Sequence, residues 1–218
     1  MPEPVTIIGF GAGFLALTSH LARRYFDVAK EVADIVLGFL AFVLCLPMLI
    51  LCAVVIKLSG SGPVLYRQQR VGKNGRLFKM YKLRTMYANA ESATGAVWAA
   101  RGDPRVLPAC RWMRRSHVDE LPQLINVIRG DMSLVGPRPE RPEILSQLEK
   151  TYPGVRERLA VRPGITGLAQ VLNGYDTTVE AFRAKLEADL EYIERRNWST
   201  ELRIMAATIG KLHDRTAR

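Results

Sequence analysis

The chain has 218 residues, 48% of them hydrophobic and 24% charged, and its 31 Lys and Arg against 21 Asp and Glu leave a formal charge of +10. That length suits one compact domain plus a membrane segment and argues against two full globular domains. Three cysteines with no CxxC pair argue against a disulfide framework, and three scattered histidines without HExxH spacing argue against a histidine zinc site.

In chain order, the first feature is "IIGFGAGFLAL", whose glycines 9, 11 and 13 imitate the start of a dinucleotide loop. A real fingerprint needs glycine at the sixth place, where this chain has Phe14. The reading is therefore an apolar segment resting in or on a membrane. "MPEP" supplies no basic region, so it is not read as a secretory signal.

The next feature is "IVLGFLAFVLCLPMLILCAVVI", residues 35–56, which as a straight helix would measure about 33 Å against a hydrocarbon core of about 30 Å. Pro47 removes a backbone donor and crowds the carbonyl of Val43, at about 3 kcal/mol in an unbroken helix. Basic residues flank both ends, with Arg23, Arg24 and Lys30 before and Lys57, Arg67, Arg70 and Lys73 after, so the positive-inside tendency puts both ends on the cytoplasmic side. The flanks favour a re-entrant hairpin broken at Pro47 over a spanning helix that tolerates its proline. A basic surface beside this run points to an anionic membrane face and phosphate-bearing ligands, with nucleic acid left open by charge alone.

Beyond it, residues 64–66 and 77–81 read as two strands around the turn "GKNG", which gathers basic side chains on one hairpin. In "RRSHVDELPQLINVIRGDMSLVGPRPERPE", residues Leu121, Leu124, Ile125 and Ile128 form one helical apolar face, and Pro122 fits only a first turn. The helix is thus expected to start near Asp119, with free amides holding its carboxylate ionised. Local physics admits either a helix cap or a nucleophile there. Towards the carboxyl end, Val179, Phe182, Leu186, Leu190 and Ile193 recur at helical spacing, and "ELRIMAATIGKLH" gives a second amphipathic helix, with Asp189 able to reach the site but expected by default on a helix surface. Trp98, Trp112 and Trp198 are read as lipid-interface or core residues.

The ordered blocks "SGPVLYRQQRVGKNGRLFKMYKLRTM", "VDELPQLINVIRGDMSLVGPRP" and "RPGITGLAQV" closely resemble the bacterial sugar transferase family, the monotopic phosphoglycosyl transferases, over residues 27–211. The resemblance implies an α+β catalytic domain with amphipathic surface helices, mounted on a proline-broken re-entrant hairpin at the cytoplasmic face of the bacterial inner membrane. The expected division is an amino-terminal extension over 1–27, the hairpin over 28–58 and the catalytic domain over 59–218. The implied reaction moves a phosphosugar from a UDP-sugar to undecaprenyl or another polyprenol phosphate and releases UMP, with Mg²⁺ as cofactor and inner-membrane phospholipid as surroundings.

By the same resemblance Asp119 is the nucleophile, forming a phosphosugar ester, and Glu120 binds Mg²⁺ with it or manages protons. Lys82, Arg84, Arg114, Arg138 and Arg162 are the candidates for phosphate or nucleotide contacts, because guanidinium forks fit phosphate oxygens. The chain departs from the family in two places: Leu46 stands where a serine usually precedes the hairpin proline, and Lys30-Glu31 stands where a basic pair is common. No nucleic-acid partner is expected, and a homo-oligomer is left open. The competing reading is a non-catalytic, membrane-tethered basic protein that binds anionic lipid or nucleic acid and in which Asp119 merely caps a helix.

Overall fold

The computed structural model describes residues 8–90, 103–173 and 179–213. It begins with helix α1, Ile8–Leu58, whose 51 residues include Pro47. The break expected at Pro47 is therefore not there as an end of helix, and the division expected after residue 27 falls inside α1. One missing donor and one crowded carbonyl can be absorbed within a long helix. The glycines at 9, 11 and 13 lie inside α1 and so form a stretch of helix and not a loop.

Strands β1, Leu65–Val71, and β2, Leu77–Leu83, form an antiparallel hairpin, as the two apolar runs flanking "GKNG" predict. Asn74 sits at φ 55° and Gly75 at φ 80°, the conformations that let this tight connection reverse the chain. Two short helices follow, α2 over Arg111–Arg115 and α3 over Gln123–Ile128. Strand β3, Ser133–Val135, then pairs in parallel with β4, Gly164–Thr166. Between them runs α4, Pro142–Thr151, and after them come α5 over Leu168–Asn173, α6 over Val179–Arg195 and α7 over Trp198–His213. Helices on two small sheets give the α+β class that the resemblance implies.

Several small apolar clusters share the core, and α1 takes part in one of them. Cys52 and Ile56 of α1 are buried with Leu83, Leu107, Cys110 and Met113. Residues 26–31 of α1 dock through ion pairs and an edge-to-face contact of Phe26 with Trp198. Arg196 pairs with Asp27, Lys30 with Glu201, and Arg162 with Glu31. Between these two docked stretches, residues 43–48 are exposed apart from half-buried Cys45, and Leu44 reaches 80% exposure. Both flanks of the apolar run thus pack on one body, while the residues around Pro47 are exposed.

Candidate active site

Asp119 and Glu120 lie in a single 3-10 turn, Val118–Glu120, and not in the first turn of α3. Pro122 precedes α3 without a side-chain cap, so the helix expected to start near Asp119 starts four residues later. The chain enters the turn through His117 at φ 55°, a left-handed conformation unusual for a residue with a Cβ. The Glu120 amide closes the turn by donating to the His117 carbonyl at 3.0 Å.

β2 supplies Lys82, and the segment after β3 supplies Arg138. Lys82 Nζ donates to Glu120 Oε1 at 2.8 Å, and Arg138 forks onto both Glu120 oxygens at 2.6 and 3.1 Å. Burial alone would push the Glu120 carboxyl up, yet the charges of Arg138 and Lys82 and their hydrogen bonds hold it well below the usual carboxylate range. Burial lowers Lys82 in turn, while Glu120 opposes that shift.

Asp119 is treated differently. It is 7% exposed, and among the described residues it has no hydrogen-bond or ion-pair partner. Burial and the neighbouring Glu120 charge raise its carboxyl from 3.8 to about 6, against the pull of Lys82, Arg114 and Arg138. The expectation that helix amides hold it ionised is thus replaced: three nearby cations, without direct contact, leave it mostly ionised at neutral pH. The result is a desolvated, unpaired carboxylate beside fixed positive charge.

Arg138 is held from behind. Gly136 and Gly164 stack so closely that a Cβ on Gly136 would lie 2.4 Å from the Arg162 carbonyl oxygen, so only glycine fits this crossing. The backbone beyond it receives two more guanidinium donors, Arg158 to the Arg138 carbonyl at 2.9 Å and Arg70 to the Pro139 carbonyl at 2.8 Å. Arg158 is itself paired with Asp189 at 2.6 Å. Asp189, expected on a helix surface, is 1% exposed, because Arg158 compensates its burial. Sequence reasoning missed Arg158 altogether. Its segment, "GVRERLAV", carries no motif, and only the fold brings it to Arg138.

Of the seven expected active-site residues, the structure brings together Asp119, Glu120, Lys82 and Arg138, with Arg114 near enough for its charge to act on Asp119. Arg114 donates to Thr85 Oγ1 at 3.5 Å. Arg84 goes elsewhere: it is buried and donates to the carbonyls of Gly60 and Ser61, tying down the loop after α1. Arg162 faces the amino-terminal half of α1, where it donates to Glu31 Oε1 at 2.5 Å. Both Glu120 oxygens are engaged by cations, which leaves the Asp119 carboxylate as the dyad's free oxygen donor. Among the described residues no group of three His, Cys, Asp or Glu converges as a cage for a metal. Such a donor set suits an ion carried mainly by a diphosphate and steadied by one carboxylate.

Residues 25–215 match the family described as Bacterial sugar transferase. The chain is similar to UDP-glucose:undecaprenyl-phosphate glucose-1-phosphate transferase of Caulobacter vibrioides, with 43% identity over 88% of this chain and 72% of that protein. It is 40% identical, over 88% of its length and 45% of the relative's, to UDP-N-acetylgalactosamine-undecaprenyl-phosphate N-acetylgalactosaminephosphotransferase of Aeromonas hydrophila. A second UDP-glucose:undecaprenyl-phosphate glucose-1-phosphate transferase, from Escherichia coli, is 40% identical over 84% of this chain and 39% of the relative. The chain spans less than half the length of these last two.

Proposed function

We propose, from the premise that the chain belongs to the bacterial sugar transferase family, that it transfers a phosphosugar from a UDP-sugar to undecaprenyl or a similar polyprenol phosphate. The observation that carries the reading is the unequal dyad: Glu120 clamped by Lys82 and Arg138, Asp119 beside it buried, unpaired and mostly ionised.

An Asp119 oxygen attacks the sugar-linked phosphorus of the UDP-sugar. A phosphorus–oxygen bond to the carboxylate forms, the bond to UMP breaks, and UMP leaves with the electron pair. An oxygen of the polyprenol phosphate then attacks the same phosphorus, and the carboxylate departs unchanged. Each displacement brings an anion onto a phosphoryl group, so pre-set positive charge is the chief demand. Arg138 and Lys82 supply it, and Glu120 keeps the two cations in place without letting them bind Asp119. Mg²⁺, held by the Asp119 side of the dyad with the diphosphate, would neutralise further phosphate charge.

Membrane entry is read as re-entrant, with both flanks of the apolar run, near Lys30 and near Ile56, at the cytoplasmic face. Support comes from the docking. Lys30 and Ile56 are 26 residues apart, about 39 Å along a straight helix, yet both are buried against the same domain. A full crossing would carry that domain, with its buried ion pairs, across a core about 30 Å thick. The exposed apolar residues of the run, from Val36 to Val54 and including those around Pro47, are left to face lipid.

The test is intact-protein mass spectrometry after incubation with Mg²⁺ and single UDP-sugars in the absence of polyprenol phosphate. A phosphosugar-sized adduct on wild type and none on Asp119→Asn is expected. UMP release equal in the two proteins would sink the reading.

A further inference from the structure

Asp34 lies at the end of the polar half of α1, immediately before the apolar run, and it is buried. Its carboxylate reaches β3: Ser133 Oγ donates to it at 2.6 Å and the Leu134 amide at 3.3 Å. Lys30, one turn earlier on α1, pairs with it at 3.2 Å and with Glu201 of α7 at 2.7 Å. Tyr192 of α6 donates to the other Glu201 oxygen at 2.7 Å and lies 3.1 Å from the Val135 carbonyl. The network thus joins α1, β3, α6 and α7.

Arg138 follows Leu134 by four residues, and the backbone between them has little slack. The Gly136 amide donates to the Thr166 carbonyl at 2.8 Å, the Gly164 amide to the Pro137 carbonyl at 2.9 Å, and the glycine crossing leaves no room for a Cβ. A shift at Leu134 has few places to go except Arg138. We propose that Asp34 is a positioning residue for the transfer reaction: by fixing Ser133 and Leu134 it sets the segment that presents Arg138 to Glu120. The membrane helix thereby holds the catalytic clamp in register, as well as anchoring the protein. This inference rests on the transferase reading above, because it needs a reaction that Arg138 assists.

The experiment measures UMP release by the full chain in detergent micelles with UDP-sugar, Mg²⁺ and polyprenol phosphate. It compares wild type, Asp34→Asn, Ser133→Ala, Arg138→Lys and the two doubles with Arg138→Lys. Because displacement of a catalytic group by about 1 Å costs on the order of 10²-fold, Asp34→Asn should lower kcat by roughly 10- to 100-fold. KM for the UDP-sugar should change less than about threefold, as expected when an interaction is lost in the transition state alone. In the Arg138→Lys background Asp34→Asn should cost little more, since coupled residues lose the same interaction once. If Asp34→Asn does not fold, Ser133→Ala decides, because it removes one hydroxyl and should show the same kcat loss and the same non-additivity. Wild-type kcat in both variants, or losses that multiply fully with Arg138→Lys, would overturn the proposal while leaving the transferase reading intact. A wild type inactive with every UDP-sugar would overturn both.

Discussion

Two buried carboxylate clusters flank the segment from β3 to Arg138, and they are built to opposite rules. In the cluster on α1, Asp34 and Glu201 share Lys30, and the remaining oxygens take the hydroxyls of Ser133 and Tyr192 and the Leu134 amide. Every charge there has a partner, which is the condition under which buried charge can hold elements together. In the dyad, Glu120 takes both cations and Asp119 takes neither. Completeness makes a joint in the first case; a withheld partner makes a reactive group in the second.

The contrast is broken most severely at Asp119. Asp119→Asn should reduce UMP release by at least about 10³-fold, the loss typical of a nucleophile. The same variant should be more stable than wild type at pH 7. A carboxyl raised from 3.8 to about 6 in the folded state binds its proton more tightly there, so folding loses stability as pH rises through that window, by no more than about 3 kcal/mol. Thermal unfolding of the two proteins at pH 7 checks it, and a lower melting temperature for the variant would contradict the assigned burial cost.

Next in size, Arg138→Ala should lower kcat by about 10²-fold, the usual loss of one pre-set electrostatic donor. A variant that changed only KM would show that Arg138 serves binding and not the displacement step. A third effect is the pH profile. The rate should fall about tenfold per pH unit below about 6, where Asp119 takes up its proton, and this acid limb should be absent from any residual activity of Asp119→Asn. Steady-state kcat/KM between pH 4.5 and 8 measures it.

The α1 joint should respond in stability. Lys30→Met leaves the buried Asp34 and Glu201 carboxylates without their shared cation and should cost about 3 kcal/mol, several degrees in melting temperature for a chain of this size. The smallest effect serves as control. Arg183→Ala removes an exposed pair with Glu187 and should change stability by less than about 0.5 kcal/mol.

Some of this was legible in the residues. The β1–β2 hairpin follows from apolar runs on either side of a glycine-bearing turn, and α6 from apolar residues at helical spacing, because both patterns are local. Asp119 and Glu120 stood out through the block that contains them. The fates of Arg84 and Arg162 were not legible: a guanidinium beside a motif looks the same whether it meets a ligand, the carbonyls of the loop over 60–62, or Glu31. Asp189 was misplaced for a related reason, since helical spacing says which face a residue lies on and not that Arg158 waits there. The departure at Lys30-Glu31 likewise acquires its meaning only from Glu201 and Arg162, more than 130 positions away.

By itself, then, the sequence determined the β1–β2 hairpin, the helical face of α6, the apolar run with its proline and the basic balance, because each is written in neighbouring residues and in short-range periodicity, whereas the α+β class and the part played by the acidic dyad came from the resemblance to a family. Tertiary structure alone decided which carboxylate is paired, which arginine serves the dyad and which braces a loop, and that both flanks of the apolar run rest on one domain. Those outcomes depend on burial and on contacts between segments far apart in the chain, and the cost of a buried charge is set by whichever partner the fold brings within about 3 Å.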